Sequence, residues 1–418
     1  MAGDAAGDTA GDTAGTTAPL TGVRVLEVAA WTFVPSAGAV LSEWGAEVIK
    51  VEPRVGGDPQ RGLMSMGLLP EAGGGVDYMI EVPNRGKKSI GVDLGTPGGR
   101  DVLHRLVRSS DVFLTSYLPS VRAKLGVDVD DIRRFNPDIV YVRGSGYGPS
   151  GPDADRPGYD GVSFWSRGGV CAALSRGGEP VVQTPAFGDL LGGMALAGGV
   201  AAALLRRATT GETAVVDVSL LSLAAWTMSP RITAEKLYDP DPLPYPSHAD
   251  MPNPLAGTYR TADGRYVTLM MLQRDRFYDE FMHAAGRPDL ITDPRFAGPE
   301  GRYANRRALV AELDAEFGSR PLSHWRSALA SLSGAWSVQQ TCAELPDDPD
   351  VAGNGYIATV QANSGADYVV PTNPVQFDTT PVHPRCAPEH GQHTEEVLLA
   401  AGLTWAEIDR LKTEGAIL

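Results

Sequence analysis

The chain has 418 residues, a formal net charge of −15, 43% hydrophobic residues and 21% charged residues. This length predicts two domains, or one large domain with an insertion, and the composition is that of a globular enzyme or binding protein. Because the negative charge repels polyanions, it argues against nucleic acid as a partner.

The cysteines and the lengths of the apolar runs argue against further classes of protein. The three cysteines, Cys171, Cys342 and Cys386, are far apart and odd in number, which disfavours a disulfide framework and a structural metal site. No run approaches the ~20 apolar residues that span a bilayer, and the N-terminus lacks the pattern of a secretory signal. We therefore expect a cytoplasmic protein that binds no metal and no membrane.

Short β-branched runs alternate with helical segments from Leu20 onward, after a repetitive stretch, 1–18, that predicts a disordered tail. This alternation predicts a doubly wound, mostly parallel α/β sheet covered by helices on both faces. The predicted strands are 23–28, 47–51, 89–92, 111–114 and 139–142, and the predicted helices run from a cap at Ser36 to about Trp44, from Gly98 to Val107, and around Ile132.

A segment from Gly188 to Arg206 is apolar nearly all round and rich in Gly and Ala, which predicts a buried, closely packed helix. Asp189 stands at its start. A carboxylate there is costly to bury unless it is hydrogen-bonded or used in chemistry. An ordinary helix N-cap and a catalytic group are both consistent with this position, and the residues alone do not separate them.

The second half of the chain predicts a smaller domain. A proline-rich linker runs from Asp239 to Pro254, and a hairpin with an Asp263-Gly264 turn follows it. Helices are predicted at 277–285 and 305–317, and a last helix at 405–412 returns to the large domain. The predicted organisation is a tail at 1–18, the first part of a large domain at 19–225, a linker and small α+β domain at 226–330, and a return linker with the rest of the large domain at 331–418.

Motifs for nucleotide phosphates are missing after the first strand, which removes support for NAD or ATP chemistry. Two groups of cations instead lie near strand ends: Lys50, Arg54 and Arg61 follow the second predicted strand, and Arg85, Lys87 and Lys88 precede the third. Ligands of open α/β sheets bind outside the carboxyl ends of the strands. These cations therefore either face a phosphorylated ligand or belong to a solvated charged surface.

Six motifs, in this order and spacing, resemble the class III CoA-transferase family, which includes formyl-CoA transferase, carnitine CoA-transferase and the α-methylacyl-CoA racemases. They are PLTGVRVLEVA from Pro19, LSEWGAEVIKVEP ending at Pro53, NRGKKSIGVDL from Asn84, GYGPSGP from Gly146, GDLLGGM from Gly188 and GQHTEEVL from Gly391. The resemblance implies an interlaced homodimer that binds acyl-CoA and a carboxylic acid as substrates and holds no permanent cofactor.

The resemblance also implies site residues. Asp189 matches the family's nucleophilic aspartate, and Pro53 stands where the formyl-CoA enzyme has Arg, so Arg54 serves only if the backbone shifts. That enzyme's polyglycine loop is absent, which argues against oxalate and formate. The residues implied to contact CoA are Thr32, Phe33, Arg54, Val92, Leu94, Ser116, Tyr117, Lys124, Ser145, Gly146 and Tyr147.

The implied mechanism is attack of Asp189 on the donor thioester, giving a mixed anhydride and then an aspartyl-CoA thioester. Gly192 and Gly193 would admit the thioester, and N–H groups near Gly192 would stabilise the oxyanions. A 2-methylacyl-CoA racemase and a catalytically silent CoA-binding protein stay open as alternatives. Racemases resembling this chain carry His at the position of Tyr159, and a phenol is a poor proton acceptor at neutral pH, which favours the transferase.

Overall fold

The computed structural model describes residues 18–67, 75–175, 179–238 and 246–418. They form two compact units. The larger unit contains the described residues up to Ile232 together with Asp350–Leu418, and the smaller unit is Thr233–Pro349. The predicted tail, apart from Ala18, and the first part of the predicted proline-rich linker lie outside the described ranges.

A six-stranded parallel sheet is the centre of the larger unit, which confirms the predicted α/β class. Its spatial order is β3-β2-β1-β4-β5-β6, and every neighbouring pair is parallel. Five strands were expected from the sequence, and the sixth forms an edge. The strands are β1 Arg24–Val28, β2 Glu47–Pro53, β3 Lys88–Val92, β4 Val112–Thr115, β5 Val140–Ser145 and β6 Val215–Ser219.

Helices pack on both faces of this sheet because alternate strand residues point into two separate cores. Leu26 and Phe113 belong to one core, and Val25 and Val112 belong to the other. The helices of this unit are α1 Phe33–Glu43, α2 Tyr78–Asn84, α3 Pro97–Arg108, α4 Pro119–Leu125, α5 Val129–Arg133, α6 Val170–Leu174, α7 Phe187–Thr210, α8 Leu220–Thr227, α16 Thr394–Ala400 and α17 Trp405–Thr413, with a π-helix at Gly161–Arg167.

Two helix predictions need correction. Ser36 does not cap α1, which begins at Phe33; the Ser36 hydroxyl donates to the Phe33 carbonyl (2.7 Å) inside the first turn. Helix α7 is not buried all round, because only one face, which includes Gly192, Leu196 and Val200, is buried, whereas Leu205 is 65% exposed. Among the described residues, α7 is the helix long and apolar enough to cross a membrane, a test that core helices of globular proteins also pass.

The smaller unit has a three-stranded antiparallel sheet and five further helices. The predicted hairpin is confirmed: β7 Thr258–Arg260 pairs with β8 Tyr266–Leu269, and Gly264 takes a positive φ in the turn. The remaining elements are β9 Trp336–Val338, α10 Arg274–Ala284, α11 Asp289–Thr292, α12 Gly298–Ala304, α13 Arg306–Gly318 and α14 Leu322–Ala328; α9 Ser229–Leu237 and α15 Pro349–Asn354 lie where the chain passes between the units.

The end of the chain returns to the larger unit, as predicted for the last helix. A hairpin of β10 Ile357–Gln361 and β11 Asp367–Pro371 precedes it. The backbone N–H of Leu418 donates to the Gly91 carbonyl (3.0 Å), and the N–H of Asp93 donates to the Ala416 carbonyl (2.8 Å). The C-terminus therefore pairs beside β3.

Candidate active site

The order of the sheet creates a crevice between β1 and β4, because connections leave these two neighbours in opposite directions. Ligands of doubly wound sheets bind at this point, outside the carboxyl ends of the strands. The Ser116 hydroxyl after β4 accepts from the Ala30 N–H (3.0 Å) and lies 3.3 Å from the Ala30 carbonyl after β1. This link joins the two loops at the base of the crevice.

A cavity of about 350 Å³ lies in the crevice, and Asp189 lines it from the first turn of α7. We call it the aspartate cavity. It brings together Asp189 with five of the residues implied to contact CoA: Phe33, Ser116, Tyr117, Ser145 and Gly146. The rest of its lining is mainly apolar: Ala30, Trp31, Pro53, Pro59, Leu118, Val121, Gly144, Pro157, Gly158, Tyr159 and Leu220.

A second cavity, of about 280 Å³, adjoins the first beside the carboxyl ends of β2 and β3. Arg54, Val92 and Leu94, which the resemblance implied as CoA contacts, line this outer cavity. Pro53 and Tyr117 line both cavities. The two cavities therefore share part of their lining at the strand ends.

Asp189 is not the N-cap of α7. The helix begins at Phe187, and its cap position, Ala186, has a left-handed φ of 61° and no side chain able to accept a hydrogen bond. The Asp160 carboxylate takes this role instead, because its Oδ2 accepts from the N–H groups of Gly188 (2.8 Å) and Asp189 (3.3 Å). The Asp189 side chain therefore does not cap α7, which was one of the two roles that the sequence left open for it.

Two carboxylates lie close together at this helix start. Burial, and then the negative charge of Asp160, raise the pKa of Asp189 to about 7. Asp160 is itself only 6% exposed, and its Oδ1 has no hydrogen-bond partner among the described residues. The ionised Asp189 is consequently poorly solvated near neutral pH, which is the environment of a reactive carboxylate.

Glycines at the start of α7 allow this close packing. A Cβ added at Gly188 would come within 2.5 Å of Asp160 Oδ1, and one added at Gly192 would come within 2.3 Å of the Phe33 ring. The expectation that Gly192 and Gly193 admit a thioester is therefore wrong, because helix α1 occupies that space. Nor is the Gly192 N–H available to an oxyanion, since within α7 it donates to the Gly188 carbonyl.

Trp31 lines the aspartate cavity in a strained conformation. Its φ of 70° is left-handed, which costs a residue with a side chain ~1–2 kcal/mol. Its N–H donates to Asp58 Oδ1 (3.1 Å), and Asp58 Oδ2 lies 2.9 Å from the ammonium of the fully buried Lys50. The Trp31 indole meets the Tyr159 ring edge to face, with centroids 5.4 Å apart.

Five of the six cations near the strand ends are held by carboxylates, so they form neither a ligand-facing group nor a solvated surface. Lys50 and Lys87 are buried and share the carboxylate of Glu27. Arg54 is the exception that lines the outer cavity, where its Nε donates to the Ile417 carbonyl (3.0 Å). The pairs are Lys50 with Glu27 and Asp58, Lys87 with Glu27, Arg61 with Glu52, Arg85 with Glu43, and Lys88 with Glu47 and Glu396.

Three residues implied to contact CoA line neither cavity. Thr32 is buried and donates to Gln60 Oε1 (2.9 Å), Lys124 is exposed on α4, and the Tyr147 ring lies 4.7 Å from the Arg167 guanidinium. Their contacts with CoA stay predictions. Among the described residues, no group of three or more His, Cys, Asp or Glu side chains is placed to hold a metal ion.

Two residues of the site were missed by sequence reasoning. One is Asp160, although a helix that starts at Phe187 without a capping side chain needs an acceptor from elsewhere in the chain. That need was a usable signal. Trp31 carries no such signal, because its left-handed backbone depends on Asp58, which lies 27 positions further along the chain.

The chain is similar to known CoA-transferases over most of its length. The chain matches the profile of CoA-transferase family III over residues 20–394. It is 30% identical over 395 residues to the (R)-2-hydroxy-4-methylpentanoate CoA-transferase of Clostridioides difficile, covering 94% of this chain and 98% of that protein. It is 31% identical over 403 residues to the cinnamoyl-CoA:phenyllactate CoA-transferase of Clostridium sporogenes, covering 95% and 97%.

The fold is shared as well. A crystal structure of a CAIB/BAIF family protein from Brucella suis superposes with a TM-score of 0.78 at 25% sequence identity, covering 92% of this chain and 100% of that one. The sequence match covers most of the chain, and the structural match extends over both units. The chain therefore belongs to CoA-transferase family III and is a CoA-transferase.

Proposed function

We propose that this enzyme moves CoA from an acyl-CoA donor to a carboxylic acid acceptor through covalent intermediates on Asp189. The observation that carries the proposal is the position of the Asp189 carboxylate, which lines the aspartate cavity while Asp160 caps its helix. A carboxylate with a pKa raised to about 7 is more basic, and hence more nucleophilic, than a solvated one.

In the proposed reaction the Asp189 carboxylate attacks the donor carbonyl, the C–S bond breaks, CoA leaves as the thiolate, and a mixed anhydride of Asp189 and the donor acid remains. The thiolate then attacks the aspartyl carbonyl, which releases the donor acid and leaves an aspartyl-CoA thioester. The acceptor carboxylate attacks that thioester to form a second anhydride and free thiolate again. Attack of the thiolate on the acceptor's carbonyl yields the new acyl-CoA and restores the Asp189 carboxylate.

The two neighbouring cavities suggest where an extended thioester binds, because Pro53 and Tyr117 line both of them. We propose that the nucleotide end of CoA lies in the outer cavity, near Arg54, Val92 and Leu94, and that the arm passes Tyr117 to reach Asp189. A guanidinium suits phosphate because it offers several donors in a fixed plane. CoA enters and leaves as substrate in this proposal, and no bound cofactor takes part.

The racemase alternative requires a second base opposite the aspartate. Tyr159 lines the aspartate cavity, and no His lines it among the described residues. A phenol exchanges protons poorly at neutral pH, so two-base exchange lacks a partner. Solvent deuterium should therefore not enter the α-carbon of a 2-methylacyl-CoA during incubation with the enzyme.

We also propose the interlaced homodimer that the family resemblance implies, with the enzyme in the cytoplasm. Apolar side chains exposed on the larger unit support an interface: Leu191 is 44% exposed, Leu205 is 65% exposed and Trp226 is 79% exposed. Burial of such groups is the usual drive for obligate association. Light scattering at micromolar concentration should give twice the chain mass of 44.2 kDa; a monomer would contradict the proposal.

The decisive experiment is mass spectrometry of the protein after incubation with acyl-CoA and no acceptor. We expect a CoA adduct on the peptide that contains Asp189, removable by hydroxylamine. The variant Asp189→Ala should lose the adduct and more than about 10³-fold of the transfer rate while still binding CoA. The exposed Asp138→Ala serves as the matched control and should retain both. Turnover by Asp189→Ala near the wild-type rate would refute the assignment.

A further inference from the structure

The wall of the aspartate cavity is aromatic and apolar, and it contains no cation. Trp31, Pro157, Tyr159 and Leu220 line it together with Asp189. Among the described lining residues there is no Lys, Arg or His, so Asp189 is the only side chain there that is charged near neutral pH. A second carboxylate on a bound acid would therefore meet negative charge and no cation of the lining.

Buried residues fix the backbone of Trp31 beside this cavity. Its left-handed backbone is fixed by the hydrogen bond from its N–H to Asp58, and Asp58 is fixed by the buried ammonium of Lys50. Strain that the surrounding structure enforces in this way is typical of residues with a role in a site. The strained backbone presents the indole beside Tyr159, where the two rings pack edge to face.

We propose that the enzyme selects monocarboxylic acids with a bulky apolar or aromatic body, and that Trp31 is a specificity-determining residue for that choice. This inference rests on the proposed chemistry at Asp189. The carboxyl group that reacts is placed at Asp189, and the body of the acid packs against the Trp31 and Tyr159 rings, which favour aromatic partners in an offset or edge-on arrangement. Dicarboxylic acids are excluded because their second charge would be desolvated without a partner.

The test measures the rate at which acyl-CoA thioesters label Asp189 in the full-length enzyme. Pentanoyl-CoA and 3-phenylpropanoyl-CoA should label it at least about 30-fold faster than glutaryl-CoA, which has the pentanoyl chain with a second carboxylate. In Trp31→Ala the ratio of the phenylpropanoyl rate to the acetyl rate should fall at least about tenfold, and Trp31→Phe should restore most of that ratio. Thermal melting of each variant verifies that it folds.

The outcomes separate this inference from the proposed function. If every thioester labels Asp189 but glutaryl-CoA does so as fast as pentanoyl-CoA, the selectivity is refuted while the covalent mechanism stands. If the acyl selectivity of Trp31→Ala equals that of the wild type, the role of Trp31 is refuted. If no thioester labels Asp189, the proposed function fails, and this inference fails with it.

Discussion

The ionisation of Asp189 should control the transfer rate around neutral pH. Burial, and secondly the Asp160 carboxylate, raise the pKa of Asp189 from 3.8 to about 7. Only the ionised carboxylate attacks a thioester, and it makes up about a tenth of the enzyme at pH 6 and about nine tenths at pH 8. We therefore expect kcat/KM to rise about tenfold between these pH values and to level off above them.

The substitution Asp160→Asn separates the two causes. It removes the charge, while the amide oxygen can still accept from the Gly188 N–H. Because burial is the larger cause, Asp160 accounts for less than half of the rise in the pKa of Asp189. In the variant, the acid side of the pH–rate profile should therefore move to lower pH by less than about 1.5 units. A shift of about one unit would raise the ionised fraction about fivefold at pH 6 and hardly change it at pH 8, so the variant should be faster than the wild type at pH 6 and no faster at pH 8.

The assay is initial rate at limiting acyl-CoA from pH 5.5 to 8.5 for both enzymes. The phosphates of CoA titrate in the same way in both measurements, so the difference between the two profiles isolates the enzyme's own group. If the rate of the wild type falls only below about pH 5, the argument that burial raises the pKa of Asp189 is refuted. If Asp160→Asn does not shift the pH–rate profile, the argument that the charge of Asp160 raises the pKa of Asp189 is refuted.

Two further predictions concern stability, measured by urea unfolding at fixed protein concentration. Gly192→Ala should destabilise the fold by ~1–3 kcal/mol because its Cβ would overlap the Phe33 ring. Gly198→Ala, where a Cβ meets nothing within 4 Å, should be neutral or stabilising by ~0.5–1 kcal/mol. Equal changes in the free energy of unfolding for the two variants would contradict this. Glu27→Gln should cost ~3–5 kcal/mol because it removes the charge that two buried lysines share. Glu47→Gln, whose partly exposed carboxylate pairs with Arg24 and Lys88, should cost under ~1 kcal/mol.

The sequence predicted what depends on local pattern. Alternating β-branched runs identified five of the six parallel strands, and motif position placed Asp189 where the structure has a cavity. The missed strand, β6, lies at the edge of the sheet, and only its last residue is buried, so its apolar pattern is weak. Strand prediction succeeds where a strand is buried on both faces, because burial imposes the apolar pattern.

The sequence could not predict what depends on contacts between distant residues. The cations near the strand ends looked available for a phosphate, yet Lys87 pairs with Glu27, 60 positions earlier in the chain. Composition gives the charges but not their partners, and a buried charge is stable only with a partner. The same limit applies to Trp31, whose conformation is set by an acceptor outside its own segment.

Burial is the larger reason why the pKa of Asp189 is raised rather than lowered, and the start of α7 supplies the second reason. A carboxylate in the first turn of a helix is normally stabilised in its ionised form by the free N–H groups and the positive end of the dipole, which lowers its pKa. Here the Asp160 carboxylate accepts from two of those N–H groups and places its own negative charge beside the site. Because Gly188 has no Cβ, Asp160 can approach this closely. One residue therefore both anchors the helix that carries Asp189 and raises the basicity of its carboxylate.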